Sequence, residues 1–399
     1  MSPTTLRIGI DVGGTFTDFV LFDETSGDLH NFKVPSTPRV PEQAVLDGIA
    51  HVSADGADLV SSVHGSTVAT NALLERKGAR TALVATRGFR DVLTIGRQNR
   101  TQIYDLFGDR APTLVPPELC YEITERVDCS GTVLQPLAEN EIPALIAALS
   151  DQKIEAVAVS LLFSFLCPAH EQRIASALRG AGFAVSLSSE ILPEFREYER
   201  ASTTAINAYV TPVLSGYIGR LESKFIETGT DFRIMQSNGG SIRAIQARAE
   251  AVRSILSGPA GGVVGATYVA REAGFRQVVT LDMGGTSTDV SLSQGDIRVT
   301  SESEVGGLPI RIPIIDIHTV GAGGGSIAHV DAGGAMRVGP QSAGADPGPA
   351  CYGKGGQLPT VTDANLVLGR LAPENFLGGQ MLLDLKAAVA ALERLAQQA

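Results

Sequence analysis

One stretch of this sequence occurs twice. Residues 10–21 read IDVGGTFTDFVL and residues 281–292 read LDMGGTSTDVSL. Seven of the twelve aligned positions are identical: Asp11/Asp282, Gly13/Gly284, Gly14/Gly285, Thr15/Thr286, Thr17/Thr288, Asp18/Asp289 and Leu21/Leu292. Each copy follows an apolar run, Leu6–Ile10 or Gln277–Leu281, and leads into alternating residues. That is the pattern of a strand, a glycine turn and a second strand. Two such hairpins 271 residues apart predict a duplicated α/β domain, its two tips facing each other across one cleft. The alternative is a pair of ordinary hairpins that need glycine for their turns.

The residue types at the tip have a chemistry of their own. Consecutive glycines let backbone N–H groups converge on an anion with no Cβ to hold it away. Thr15, Thr17, Thr286 and Thr288 add hydroxyls beside Gly13, Gly14, Gly284 and Gly285. A carboxylate at the end of the preceding strand, Asp11 or Asp282, is placed to hold Mg²⁺ next to phosphates, usually through waters. Asp282 can alternatively orient a nucleophile.

Between the copies the chain alternates predicted strands and helices, which is the order of an α/β layered fold. Pro41–Val52 has helical spacing, Leu59–Val63 is a short strand, and Ser66 or Thr67 can cap a helix running to about Arg76. Arg80–Ala85, Ala156–Leu162 and Phe183–Leu187 read as strands and Pro168–Gly182 as a helix. The polar, proline-rich residues 97–138 read as an excursion or insertion. Residues 194–229 read as one or two long helices with a break near Thr211-Pro212. The run Glu194, Arg196, Glu197, Glu199, Arg200 reads as a solvated helix face with i,i+4 pairs. Ser254–Ala273 carries GPAGGVVGA, a helix with a small-residue face suited to close packing. The resulting division is 1–190 for the first half and 191–399 for the second.

Glycine is the compositional outlier, with 44 of 399 residues, and 22 of them fall between Gly258 and Gly356. Apolar runs thread that region, so it is not a linker. Within it, Ile310–Val320 reads as an apolar strand carrying Asp316 and His318 on one side, followed at once by GAGGGS (Gly321 to Ser326). The pair is a candidate for substrate or catalytic work; a buried Asp–His hydrogen bond that orders the loop is the competing reading. His64, at a strand end, is either a substrate contact with Ser66 and Thr67 or a helix-entry hydrogen bond. Cys351 has no local base and reads as a small packed thiol rather than a nucleophile.

Charge excludes some functions. With 32 Lys+Arg against 43 Asp+Glu the net charge is −11, and an acidic chain without basic runs gains nothing from polyanions or anionic membranes. The four cysteines form no CxxC pair, so neither a zinc ribbon nor a disulfide framework is expected. The first residues show no charged segment followed by an apolar core, and a cytoplasmic protein is the expectation.

Eight stretches together resemble the ATP-dependent hydantoinase A / 5-oxoprolinase family: IGIDVGGTFTDFVLFD, HGSTVATNALLERKGA, REYERASTTAINAYVTP, MQSNGGS, SILSGPAGGVVGA, LDMGGTSTDVSL, DIHTVGAGGGSIA and PTVTDANLVLGRL. The family includes A-type subunits of ketone carboxylases and lactam-opening enzymes. The resemblance implies the actin/Hsp70/sugar-kinase fold, that is, duplicated actin-like ATPase (RNase H-like) domains. It implies ATP and Mg²⁺ as cofactors, with Asp11 to Thr17 as the first phosphate loop and Asp282 to Thr288 as the second. Gly321, Gly323, Gly324, Gly325 and Ser326 would then flank the nucleotide. It also implies phosphoryl activation of a cyclic amide or imide carbonyl, often with a B-type partner subunit in an oligomer. The alternatives are a ketone carboxylase subunit and a non-catalytic nucleotide-binding or assembly module. After Gly379 no glycine remains and the residues read as an amphipathic helix, whereas superfamily members seat adenine on a further glycine turn. On that ground the sequence reads as a shortened or split member with an incomplete second domain.

Overall fold

The computed structural model describes residues 5–13, 16–37, 40–54, 58–99, 104, 112–285, 287–344, 346–379 and 381–398. The chain divides into two compact units. The first holds Met1–Gly261 and Val299–Ile315, the second Gly262–Arg298 and Asp316–Ala399.

In the first unit, β1 (Thr5–Val12), β2 (Phe16–Asp23) and β3 (Leu29–Pro35) form an antiparallel meander. Every second residue of β1 is apolar, and Leu6, Ile8, Ile10 and Val12 are buried, while Arg7, Gly9 and Asp11 turn to the other face. Helix α1 (Pro41–Ala54) follows, then β4 (Asp58–Ser66), which lies parallel to β1, and α2 (Val68–Leu74). A second sheet is built from β5 (Thr81–Thr86), β6 (Cys120–Ile123), β7 (Ala156–Ser160) and β8 (Ala184–Leu187), with α3 (Ala169–Gly180) between the last two. All its strands are parallel, in the order β8-β7-β5-β6. TALVAT and AVAVS are short, apolar and buried at nearly every residue, as central parallel strands must be.

Helix α4 (Glu197–Glu227) joins the two sheets. Ala201, Ala205 and Ala208 belong to the core of the parallel sheet, and Ile206, Val210, Leu214, Ile218 and Leu221 to the core of the β1 sheet. β9 (Asp231–Met235), parallel to β4, and β10 (Ser241–Arg243) complete the first sheet, whose order is β10-β9-β4-β1-β2-β3. This shared helix is why the compact units do not divide at 190, where the sequence pattern put the boundary.

Three other expectations need correction. Helix α4 does not break at Pro212, which lies inside one continuous 31-residue helix. Burial of residues 201–210 on every side holds the helix through the missing N–H. The stretch 97–138 is not wholly an excursion. Residues 100–103 and 105–111 lie outside the described residues, but Cys120–Ile123 supplies an edge strand of the parallel sheet, and Val115, Leu119 and Ile123 enter its core. The charged run near 197 is no solvated face of i,i+4 pairs. Arg200 is buried, donates to the Leu161 carbonyl (2.6 Å) and pairs with Glu197. Its neighbours Glu199, Arg196 and Glu194 pair with Arg97, Glu302 and Arg311 of distant segments.

Helix α5 (Ser257–Glu272) starts in the first unit and ends in the second. The second unit then carries β11 (Gln277–Met283), β12 (Thr288–Gln294) and β13 (His318–Val320) as a three-stranded antiparallel sheet. β14 (Ser326–Val330) pairs with β15 (Met336–Ser342), and helices α6 (Val361–Val367) and α7 (Leu385–Ala396) cover a small core around Cys351 and Leu366. The expected strand Ile310–Val320 is three short pieces, Leu308–Ile310, Ile314–Ile315 and His318–Val320. The chain passes from one unit to the other between the second and third of them.

Candidate nucleotide site

The repeated sequence makes the same hairpin twice. In the first copy Asp11 faces Asp18 and Val12 faces Thr17 across the strands; in the second Asp282 faces Asp289 and Met283 faces Thr288. The third strand holds the equivalent aspartate in both. Lys33 pairs with Asp18 at 3.0 Å, and the Thr319 hydroxyl donates to Asp289 at 2.6 Å. Gly14, Thr15 and Thr286, at the tips, lie outside the described residues.

The repeated threonines Thr17 and Thr288, beyond each tip, hydrogen-bond within their own units. Thr17 is buried, and its hydroxyl lies 3.0 Å from Ser36 Oγ. Ser36 in turn donates to the Gly13 carbonyl at 2.8 Å. Since the Ser36 proton is committed to that carbonyl, Thr17 is the donor of the pair. Thr288 is likewise buried and donates to the Ala322 carbonyl at 2.5 Å. Each threonine therefore fixes the shape of its turn and has no proton left for a phosphate.

Gly323, Gly324, Gly325 and Ser326 pack against the second hairpin. The Gly324 and Gly325 amides donate to the Gly284 and Gly285 carbonyls at 2.8 and 2.7 Å, and the Gly323 amide donates to Ser326 Oγ at 2.9 Å. These N–H groups brace the second hairpin. Glycine is required because a Cβ on Gly325 would come within 2.8 Å of the Gly285 carbonyl oxygen. Gly321 is exposed at the entrance of this loop.

Around the first hairpin, the end of β4 and the start of α5 approach Asp11. A Cβ on Gly65 would stand 3.1 Å from Asp11 Oδ1, and one on Gly258 would stand 3.6 Å from the same oxygen. Both glycines leave space beside the carboxylate that a side chain would fill. The Thr67 hydroxyl donates to the Val12 carbonyl at 3.2 Å. Ser257 at the start of α5 donates to the Ser66 carbonyl at 3.3 Å. The N-terminal end of a 16-residue helix thus faces the carboxylate side of the loop, where its partial positive charge favours anions.

His64 and Ser66 are buried, so neither offers a surface to a substrate; Thr67 is partly exposed. His64 Nε2 lies 2.8 Å from the Tyr217 hydroxyl. Burial pushes the imidazole down to about 4, which keeps it neutral, and burial also pushes the Tyr217 phenol up. Tyr217 and Ser36 support the site without any signal in sequence spacing. Tyr217 reads as helix core, and Ser36 lies 23 residues from the glycine it holds.

Asp316 and His318 do sit on one side, with Asp316 Oδ1 3.7 Å from His318 Nε2. Both are too exposed for the buried hydrogen bond that was the alternative, and the separation is beyond hydrogen-bond range. Cys351 is buried against Asp363, whose carboxylate accepts its backbone amide at 2.8 Å. Burial and that carboxylate push the thiol up, which suits packing and not nucleophilic attack.

Among the described residues no three His, Cys, Asp or Glu side chains converge on a metal position. Mg²⁺ asks for less, one or two carboxylates together with phosphate oxygens and waters, and Asp11, flanked by Gly65 and Gly258, fits that role. Among the described residues no helix is long and apolar enough to cross a membrane.

Comparison with known proteins agrees along the chain. The pattern of the Hydantoinase/oxoprolinase family matches residues 200–399, and that of the Hydantoinase/oxoprolinase N-terminal region matches residues 7–182. The caprolactamase subunit alpha of Pseudomonas jessenii is 43% identical over 98% of this chain and 58% of its own length. The 5-oxoprolinase 1 of Arabidopsis thaliana is 39% identical over 98% of this chain and 34% of its own. The crystal structure of the ATP-dependent caprolactamase from Pseudomonas jessenii superposes with a TM-score of 0.85 at 42% identity, over 98% of this chain and 59% of that one. The chain thus spans less than two thirds of the length of these relatives.

Proposed function

Because the chain belongs to the hydantoinase/oxoprolinase family, we propose that it carries the ATP-handling part of an enzyme that opens a cyclic amide or imide by phosphoryl activation of the ring carbonyl. The observation that supports this most is the hairpin built twice in the same register, each with an aspartate at the strand end and a glycine tip. In the actin-like superfamily that element is the phosphate loop, and the β1-β2-β3 meander with β4 parallel to β1 is consistent with it.

In this reading Asp11 and Asp282 hold Mg²⁺ through waters, and backbone amides at the two glycine tips donate to phosphate oxygens; the Gly284 amide is not among them, since it donates to the Ser287 carbonyl at 2.9 Å. Thr17 with Ser36, and Thr288 with Ala322, keep each turn in the shape that aims those amides. Preorganised donors of this kind stabilise charge on a transferring phosphoryl group with no reorganisation at the moment of reaction. Bound Mg·ATP supplies the phosphoryl group that makes an amide oxygen a leaving group. A B-type partner subunit, as the subunit naming of the caprolactamase relative suggests, would complete the enzyme.

The experiment is phosphate release from Mg·ATP, with a co-expressed B-type partner, in the presence of hydantoins, 5-oxoproline or lactams. Release stimulated by one of these rings, and lowered at least a hundredfold by Asp11→Ala, is the expected result. Equal turnover in the variant would remove Asp11 from the mechanism. Release that depends on bicarbonate and a ketone would identify a carboxylase instead. Nucleotide binding without stimulated turnover would identify a binding module.

A further inference from the structure

The first unit holds a cavity of about 560 Å³, within the roughly 300–1,000 Å³ of small-molecule sites. It lies between residues 93–99, the first turns of α4 and residues 304–309, all of them in the first unit. Part of its lining is apolar, from Leu93, Leu114 and Leu308. The polar part centres on Arg97, whose Nε and Nη2 donate to the two carboxylate oxygens of Glu199 at 2.7 and 2.6 Å. Among the described residues Nη1 of Arg97 takes no partner. The backbone is bent to present this pair. Gly96 (φ 54°, ψ −147°) and Gln98 (φ 55°) stand on either side of Arg97, both at positive φ. Residues other than glycine held there cluster at ligand sites. A Cβ on Gly96 would stand 3.3 Å from Tyr198 Cζ, so glycine is what lets the segment lie against α4.

This cavity is not the phosphate loop. Thr67, at the N-terminal end of α2, donates to the Val12 carbonyl beside Asp11. Past the other end of α2, Arg76 donates to the carbonyl of Pro112, a lining residue, at 3.1 Å. The helix between them has seven residues, about 10 Å. The lining carries one cation, Arg97, and two carboxylates, Glu199 and Glu304, so it disfavours anions, nucleotides among them. A guanidinium beside a carboxylate offers a donor and an acceptor along one edge. An amide closed into a small ring is cis and presents its carbonyl and its N–H along one edge, in the complementary order. We propose that the cavity binds an uncharged cyclic amide, a lactam or hydantoin, with its carbonyl on Arg97, its N–H on Glu199 and its carbon skeleton against Leu93, Leu114 and Leu308. The choice of a cyclic amide rests on the proposed function. The cavity adds where such a ring is recognised, and it excludes a ring that bears a carboxylate, as 5-oxoproline does. A ring held here stands clear of Asp11, so its binding requires neither nucleotide nor a partner subunit.

The test is a saturation-transfer NMR titration of the chain alone, without nucleotide, with caprolactam, hydantoin and 5-oxoproline as probes. The expected result is saturable binding of caprolactam or hydantoin, with 5-oxoproline bound at least tenfold more weakly. Thr94→Trp brings an indole into the cavity from an exposed position. Glu199→Gln keeps a bond to Arg97 and removes an acceptor from the ring N–H. Each should weaken ring binding at least tenfold at an unchanged melting temperature, and if Thr94→Trp unfolds the chain, Glu199→Gln decides alone. Asp11→Ala should leave ring binding as it is. Absence of ring binding, 5-oxoproline bound as tightly as the uncharged rings, or binding indifferent to the cavity variants would each overturn the proposal. So would binding lost in Asp11→Ala, which would put the ring at the phosphate loop. Phosphate release keeps this result apart from the proposed function. Ring-stimulated release without binding in the cavity removes this site and leaves the function, whereas cavity binding without stimulated release keeps the site and removes the function.

Discussion

At the scale of single residues, the hydroxyls and the histidine around the first hairpin make the sharpest tests. Thr17→Val removes the donor to Ser36, whose half-buried hydroxyl keeps its bond to Gly13, a loss of about 1 kcal/mol. It should also weaken Mg·ATP binding by loosening the turn, read by denaturant unfolding and by nucleotide titration. Gly325→Ala drives a Cβ to 2.8 Å from the Gly285 carbonyl. The second hairpin must shift, with a loss of about 1–3 kcal/mol, visible as a lower melting temperature. His64 gives a pH signature. Its folded-state value near 4 lies below the ordinary 6.5 because burial disfavours the cation. The unfolded chain therefore binds the extra proton first, so this contribution is fully present above about pH 6.5 and is lost as pH falls towards 4. The loss reaches about 3–4 kcal/mol at most, from ~1.4 kcal/mol per unit. Urea unfolding at a series of pH values should show a steeper decline for the native chain than for His64→Gln, which can still bond Tyr217. Equal slopes would mean that His64 does not carry the effect. None of these supports could be read from spacing. The repeat located Asp11 and Asp282, but Ser36 and Ala322 lie just past the third strands and Tyr217 meets His64 from α4, and only the fold brings them there.

At the scale of elements, local pattern was a good guide where one partner decides the structure and a poor one where several compete. The hairpins follow from alternation around glycine, and β5 and β7 follow from short runs of buried small residues. Helix α4 shows the opposite. Proline chemistry argued for a break near Thr211-Pro212, but burial between two cores keeps the helix whole. Pro212→Ala, which restores an N–H to the interior of α4, should raise unfolding free energy by about 1 kcal/mol or more. A measured loss would show instead that the proline fits a required bend. The apolar stretch Ile310–Val320 failed as one strand for a related reason. Its pieces answer to different partners, Ile310 and Ile314 to the first core and His318 to β12, and no periodicity records a change of partner.

At the scale of the molecule, the two units are unequally supported. The large apolar clusters, around Ile8 and around Val157, both belong to the first unit, whereas the cluster around Cys351 and Leu366 gathers few residues. Local stability follows buried apolar contact. Hydrogen exchange on the chain alone should therefore release the amides of β11 and β12 well before those of β5 and β7, and uniform exchange would contradict this ordering.

The path of the backbone has a consequence for how the molecule is made. The chain leaves the first unit after Gly261, returns for Val299–Ile315 and leaves again. That return carries Val305, Leu308, Ile310, Ile312 and Ile314 into the first unit's core. On a ribosome, where domains tend to fold as they emerge from the N-terminal end, the first unit cannot close when residue 261 appears. It must wait, with a strip of its interior open, until the second hairpin has been synthesised and residue 315 has cleared the exit tunnel. Translation pauses placed before or after that point should therefore differ in whether the nascent chain resists protease. The later segment, and not the apparent domain end, sets the moment of closure.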